Sequence, residues 1–283
     1  MLPGVCEKFK LNSIFLKYHQ QHKEYFYDNI NFYCAYGSFP ISIWDGGRVF
    51  SSYKQSTKEE IIYIRDFYES MGVKTRIVCT NPVLEEKHLT NTWMNLVCSL
   101  IENGGEIVIN SSLLEDYIRQ KYPNLKIISS TTKCLKDAES ATQELNKDYH
   151  MVCLDYNLNK DFDFLKTIEN KDKTEFLVNA ICPPNCPNRK NHYRLNGIAL
   201  MNYGRTYGIK CGIQHNQLHP KTKNYSTFIT PEEIQNTYEP MGFSNFKLEG
   251  RTFDDFSLLG VYIYYFVKPE YQLLVFSDIA QVL

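Results

Sequence analysis

Eight short β-branched or aromatic runs, each closed by a turn rich in Asn, Ser, Thr or Gly and most followed by an amphipathic helical stretch, predict an α/β fold. No internal repeat and no Pro/Gly/Ser-rich linker divides the 283 residues. Together these observations predict a closed (β/α)8 TIM-like barrel in preference to an open doubly wound sheet. Residues 31–283 form the single barrel domain in this reading. Residues 1–30 make an aromatic-rich helical extension, and 180–225 make a cysteine-bearing insertion after the sixth strand.

The expected strands are 31–36, 74–79, 106–109, 125–128, 150–154, 174–178, 227–229 and 245–248. Between them, apolar spacing of three and four predicts helices. The stretch 58–71 puts Ile61, Ile62, Ile64, Phe67 and Tyr68 toward one face, and 89–101 does so with Trp93, Leu96, Val97 and Leu100. Shorter stretches follow at 111–121 and 161–170. Thr230-Pro231-Glu232-Glu233 combines an N-cap residue, a proline at the first helical position and acids in the first turn, the strongest helix start in the chain. The insertion has weak periodicity and much Pro, Asn and Gly, and insertions of that size after a barrel strand are usually functional.

Hydrophobic residues make up 43% and charged residues 22%, ordinary globular values that exclude disordered, collagen-like and coiled-coil classes. The net charge of −1 gives no global pull toward nucleic acid or acidic membranes. No basic segment leads into a long apolar stretch at the N-terminus, and the longest apolar run, 258–267, is half of what a bilayer needs, so a cytoplasmic protein without membrane insertion is expected. In that reducing compartment nine cysteines read as core residues, metal ligands or catalytic thiols, and the odd number argues against a fully paired disulfide framework.

In a barrel the residues just past each strand face the active-site mouth. Here these are almost all polar, among them Ser38, Thr80, Asn81, Ser130, Thr131, Asp155, Asn157, Asn179, Glu249 and Arg251. Cys182 and Cys186 are separated by three residues in a Pro-rich loop, and Cys211 and His215 repeat that spacing, giving C-x3-C-x24-C-x3-H. Three thiolates with an imidazole suit either zinc or an iron–sulfur cluster, and spacing alone does not separate the two. Cys34, Cys79, Cys98 and Cys153 lie in apolar runs and read as core; Cys34 is the alternative fourth ligand. Arg189, Lys190, His192 and Arg194 read as a solvated face or as a site for an anionic substrate or RNA. Gly46-Gly47 after Trp44-Asp45 reads as a turn. Phosphate-binding glycine loops, the nucleophile elbow and the zinc-protease helix motif do not occur.

The segment 174–182, Thr-Glu-Phe-Leu-Val-Asn-Ala-Ile-Cys, resembles the approach to the first cysteine in the collagenase-like U-type peptidase family. Phe228-Ile229-Thr230-Pro231-Glu232-Glu233-Ile234, with 242–251 reading Gly-Phe-Ser-Asn-Phe-Lys-Leu-Glu-Gly-Arg, is similar to that family's later block. The resemblance covers mainly 174–252. It implies a barrel, four cysteines holding a 4Fe-4S cluster in many members, and oxygen-independent hydroxylation of ubiquinone precursors or modification of tRNA and ribosomal RNA. By position, Cys182, Cys186 and Cys211 match the first three cluster cysteines, and the fourth falls on His215. The leading expectation is therefore an iron–sulfur-dependent enzyme modifying a small molecule, peptide or RNA, with Glu249 as acid/base and Arg251 orienting an anion. A metal-dependent peptidase is one alternative. The other is a non-catalytic subunit with a structural zinc site that stabilises a paralogous partner.

Overall fold

The computed structural model describes residues 1–47, 54–202 and 222–283. Eight parallel strands run in chain order through one sheet: β1 Leu2–Pro3, β2 Cys34–Gly37, β3 Lys74–Cys79, β4 Glu106–Ile109, β5 Lys126–Ser129, β6 Met151–Cys153, β7 Thr174–Leu177 and β8 Asn245–Lys247. The Met1 amino group donates to Phe246 O at 2.9 Å and Leu248 N–H donates to Met1 O at 3.3 Å, so the last strand meets the first and the barrel is nearly closed. Helices surround it, as the alternating pattern predicts.

The capping chemistry sets where these helices begin. Thr57 and Glu60 form a reciprocal capping box ahead of the helix Lys58–Ser70. Asn91 caps Thr92–Ile101, Ser111 caps Ser112–Lys121, and Asp161 caps Phe162–Thr167. Thr230 and Glu233 make a second capping box, but the regular helix lasts only over Pro231–Glu233 before widening into a π-turn, Ile234–Tyr238.

The strand count is right for a different set of segments. Residues 227–229 do not join the sheet; Ile229 N–H donates to Val178 O and the Asn159 amide donates to Thr227 O, which lays this segment over the end of β7. The missing strand is Leu2–Pro3, whose two residues pair with Ala35 and Tyr36. Residues 1–30 are therefore not an extension: they supply β1 and a barrel helix, Phe9–Gln21, whose Leu11, Phe15 and Leu16 are buried. The insertion consequently follows the seventh strand, and it contains a regular helix, Arg189–Met201.

The interior of the barrel is charged. Arg76 donates from Nε to Glu106 at 2.7 Å and from Nη1 to Glu175, which lies on the strand diametrically opposite, and Lys247 sits 3.3 Å from the second Glu175 oxygen. Tyr33 donates to Glu106 at 2.5 Å and contacts His150 Nε2 at 2.9 Å below this layer. Burial would push the Glu175 carboxyl up, but Arg76 and Lys247 overcome it and hold the group down at about 2. Cys34, Tyr36, Val78, Val108, Ile128 and Met151 fill the remaining interior.

Candidate functional site

The chain leaving β2 folds back on itself to place Asp45 at the mouth. Asp45 N–H donates to Ser42 Oγ; its Oδ1 accepts from Gly46 N–H at 2.7 Å and Gly47 N–H at 3.1 Å, and its Oδ2 accepts from Ser38 Oγ at 2.6 Å. Arg251, arriving from β8, donates from Nη1 to the same Oδ2 at 3.0 Å and to Ser38 Oγ at 3.2 Å, with Glu7 3.6 Å away. Burial would lower the guanidinium's pKa, but Asp45 and Glu7 more than offset this and keep it charged; burial pushes the Glu7 carboxyl up against the pull of Arg251. The ion-pair partners of Arg251 are thus Asp45 and Glu7.

Glu249 is fixed differently. The Asn179 side-chain amide donates to Glu249 O at 2.9 Å and accepts from Glu249 N–H at 2.6 Å, extending the pairing of β7 and β8 beyond their last residues. Glu249 Oε2 then accepts from Ile181 N–H at 2.8 Å, in the residue just before Cys182. The candidate acid and the start of the thiol loop are in direct contact. Arg251, Glu249, Lys247, Thr80, Thr131 and Tyr193 line a space of about 70 Å³ between them.

A second buried ion pair supports the thiol loop. Arg189 donates from Nη1 to Asp155 at 2.5 Å, from Nη2 to Thr131 O and Oγ1 at 3.0 Å each, and from Nε to Tyr193 OH at 3.0 Å, while its guanidinium stands 4.1 Å over the Tyr156 ring. With 1% of its surface exposed it is no part of a solvated face, because four of its five N–H donors find partners inside the mouth. Asp155 in turn holds the Asn157 amide, whose oxygen accepts from Asn185 N–H at 2.8 Å, and Tyr156 OH donates to Pro183 O at 3.2 Å. Asn185 has φ +53°, a left-handed conformation that Asn tolerates and that lets the loop turn between its two cysteines.

Cys182 is buried beside Cys153, Tyr156, Leu177 and Ala180, and Cys186 is half-exposed. These two soft donors share one braced loop at the mouth, which suits the first half of the expected ligand set. Cys211 and His215 lie outside the described residues, and among the described residues no three His, Cys, Asp or Glu side chains are grouped to hold a metal. Cys34 opens its strand at the end away from the mouth, so it does not serve as the fourth ligand. Burial pushes its thiol up to about 11 and that of Cys153 up to about 12; Cys79 and Cys98 are shifted upward by burial as well, and all four are core thiols.

Sequence reasoning missed Asp45 and Cys134, and it placed Ser38 at the mouth without its partner Asp45. Cys134 follows β5 in a left-handed conformation, φ +57°, and its thiol is raised by burial against the nearby Arg189. Asp45 carried a signal, because two glycines after an aspartate suit a turn in which the carboxylate accepts its own following N–H groups. The helix Arg189–Met201 was hidden by its polar residues. It approaches so closely at Gly197 that a Cβ there would stand 2.2 Å from Asn81 Oδ1.

Among the described residues no helix is long and apolar enough to cross a membrane. No protein-family model matches the sequence, and no curated protein matches it. The structure is similar to that of the U32 peptidase Mk0906, with a TM-score of 0.52 and 14% identity over 79% of this chain and 87% of that one. At that identity the likeness is one of fold: the barrel described above is shared with a U32 peptidase.

Proposed function

We propose that this chain is a barrel enzyme related to the collagenase-like U32 proteins, and that its C-terminal mouth modifies a small molecule, peptide or RNA, by oxygen-independent hydroxylation or a related reaction. The observation that carries the reading is the hydrogen bond from Ile181 N–H to Glu249 Oε2, which joins the thiol loop to the acid at the end of β8. Cys182, Cys186 and Cys211, with His215 as fourth donor, would hold a 4Fe-4S cluster, which supplies one-electron chemistry when bound. Glu249 moves a proton at its carboxylate, and Arg251, fixed through Nη1, orients a polar group of the substrate. Tyr36, Val78 and Val108 underlie the mouth and exclude water from below.

The description of the similar structure as a peptidase favours a second reading, a metal-dependent peptidase with zinc on the same donors. Three thiolates leave zinc electron-rich and a weak Lewis acid, which counts against it. Anaerobic purification followed by visible absorbance and metal analysis separates the readings. A brown protein with iron and sulfide that loses both on Cys182→Ser and keeps both on Cys98→Ala supports the cluster. A colourless zinc protein overturns it, as does a sample that binds neither metal.

A further inference from the structure

Among the described residues, Arg251 spends only one of its nitrogens on protein. Nη1 takes all three contacts, with Asp45, Ser38 and Glu7, while Nη2 and Nε make no hydrogen bond among the described residues. Its side chain is 9% exposed, so that fork is fixed and faces the mouth space. Thr80 lines the same space with 1% exposure, and its Oγ1 is buried with no hydrogen-bond partner among the described residues. Two donors are therefore held ready side by side, and a buried hydroxyl without a partner is costly unless something is meant to pair with it. Gly47 keeps the approach open: a Cβ there would stand 3.3 Å from Arg251 Nη2, 3.6 Å from Thr80 Oγ1 and 3.9 Å from Asp45 Oδ1.

Those distances decide the charge of the ligand. Seen from that position, Asp45 Oδ1 at 3.9 Å opposes the pull of Nη2 at 3.3 Å on an anion, and Glu7 and Glu249 add to the opposition. A carboxylate or phosphate gains little there. A neutral carbonyl oxygen carries no net charge to be repelled and accepts from both donors, one of them charged. We propose that Arg251, Thr80 and Gly47 form a subsite for the carbonyl oxygen of an amide group in the substrate. This rests on the mouth being the substrate site, and it names the chemistry that the site takes; peptide bonds and pyrimidine bases both offer it.

Saturation-transfer NMR on the full chain, with whatever metal it carries, tests this using N-methylacetamide, uracil, acetate and inorganic phosphate as probes. Transfer to either amide, lost in Gly47→Ala and weakened about threefold to tenfold in Thr80→Val, supports the subsite. The amide bound more tightly distinguishes a peptide from a pyrimidine source. Melting temperatures within a few degrees of the parent show that both variants are folded. Transfer to acetate or phosphate and to neither amide overturns the proposal, as does Gly47→Ala binding as the parent does. Iron content is read separately, so a chain without a cluster that still binds the amide refutes the cofactor reading alone.

Discussion

Replacing Glu175 with Gln tests whether charge holds the barrel interior together. The carboxylate links Arg76 across the barrel and Lys247 at 3.3 Å, and it is fully buried. Its pKa is about 2 against an ordinary 4.5, a gap of about 2.5, which at 1.36 kcal/mol per pH unit amounts to about 3 kcal/mol of stability at neutral pH. The charge balance gives a similar figure. Removing Glu175 leaves Arg76 with Glu106 alone and strips Lys247 of its partner, and breaking a buried pair costs about 3–5 kcal/mol. At about 2 °C per kcal/mol for a chain of this size, the melting temperature of Glu175→Gln at pH 7 falls by about 6–10 °C. The sign of the pH dependence follows from the lowered pKa: the stabilisation is complete above about 4.5 and drains away as pH falls toward 2. The parent therefore loses stability through that window, and the variant shows a flatter limb. Calorimetric or urea unfolding at pH 7 and pH 3 reads both effects. A variant that melts within 2 °C of the parent at pH 7, or keeps the parent's acid limb, would refute the reasoning.

Three further expectations concern the mouth. Arg189→Lys keeps the charge but gives up the contacts to Thr131 and Tyr193, and because the site is buried it costs about 2–4 kcal/mol in unfolding experiments; a loss below 0.5 kcal/mol contradicts the brace described for the thiol loop. Gly197→Ala forces a methyl against Asn81 and costs about 1–3 kcal/mol, measured by the same unfolding curves, whereas a neutral change means that the helix sits farther from β3. If His215 is the fourth ligand, His215→Ala retains less metal than the parent on dialysis, and His215→Cys keeps the metal at a lowered reduction potential; equal retention by both removes His215 from the set.

The barrel was legible because seven of its strands are β-branched or aromatic runs of three to six residues bounded by polar turns. Its first strand was not: two residues, one of them proline, offer no alternation to detect. A loop segment with the right composition, 227–229, took its place in the count. At the site, Glu249 and Arg251 could be read from position after a strand, and Cys182 and Cys186 from spacing. Which partners the mouth residues meet could not. Asp45 and Asp155 come from other strand ends, and only closure of the barrel brings them to Arg251 and Arg189. Arg76, Glu106 and Glu175 sit in runs that look like ordinary strands, and nothing in a single strand shows that its charged residue points inward to meet another.

That inward-facing layer constrains how the chain can change over generations. Arg76 bridges opposite walls, so any one-step exchange of it, Glu106 or Glu175 strands a buried charge and passes through a weakened intermediate. Replacing the whole group, with Lys247 included because Glu175 is its partner, by apolar residues of similar volume is often neutral. The three positions are therefore expected to be inherited together or lost together, a heritable unit that persists while outer helices drift.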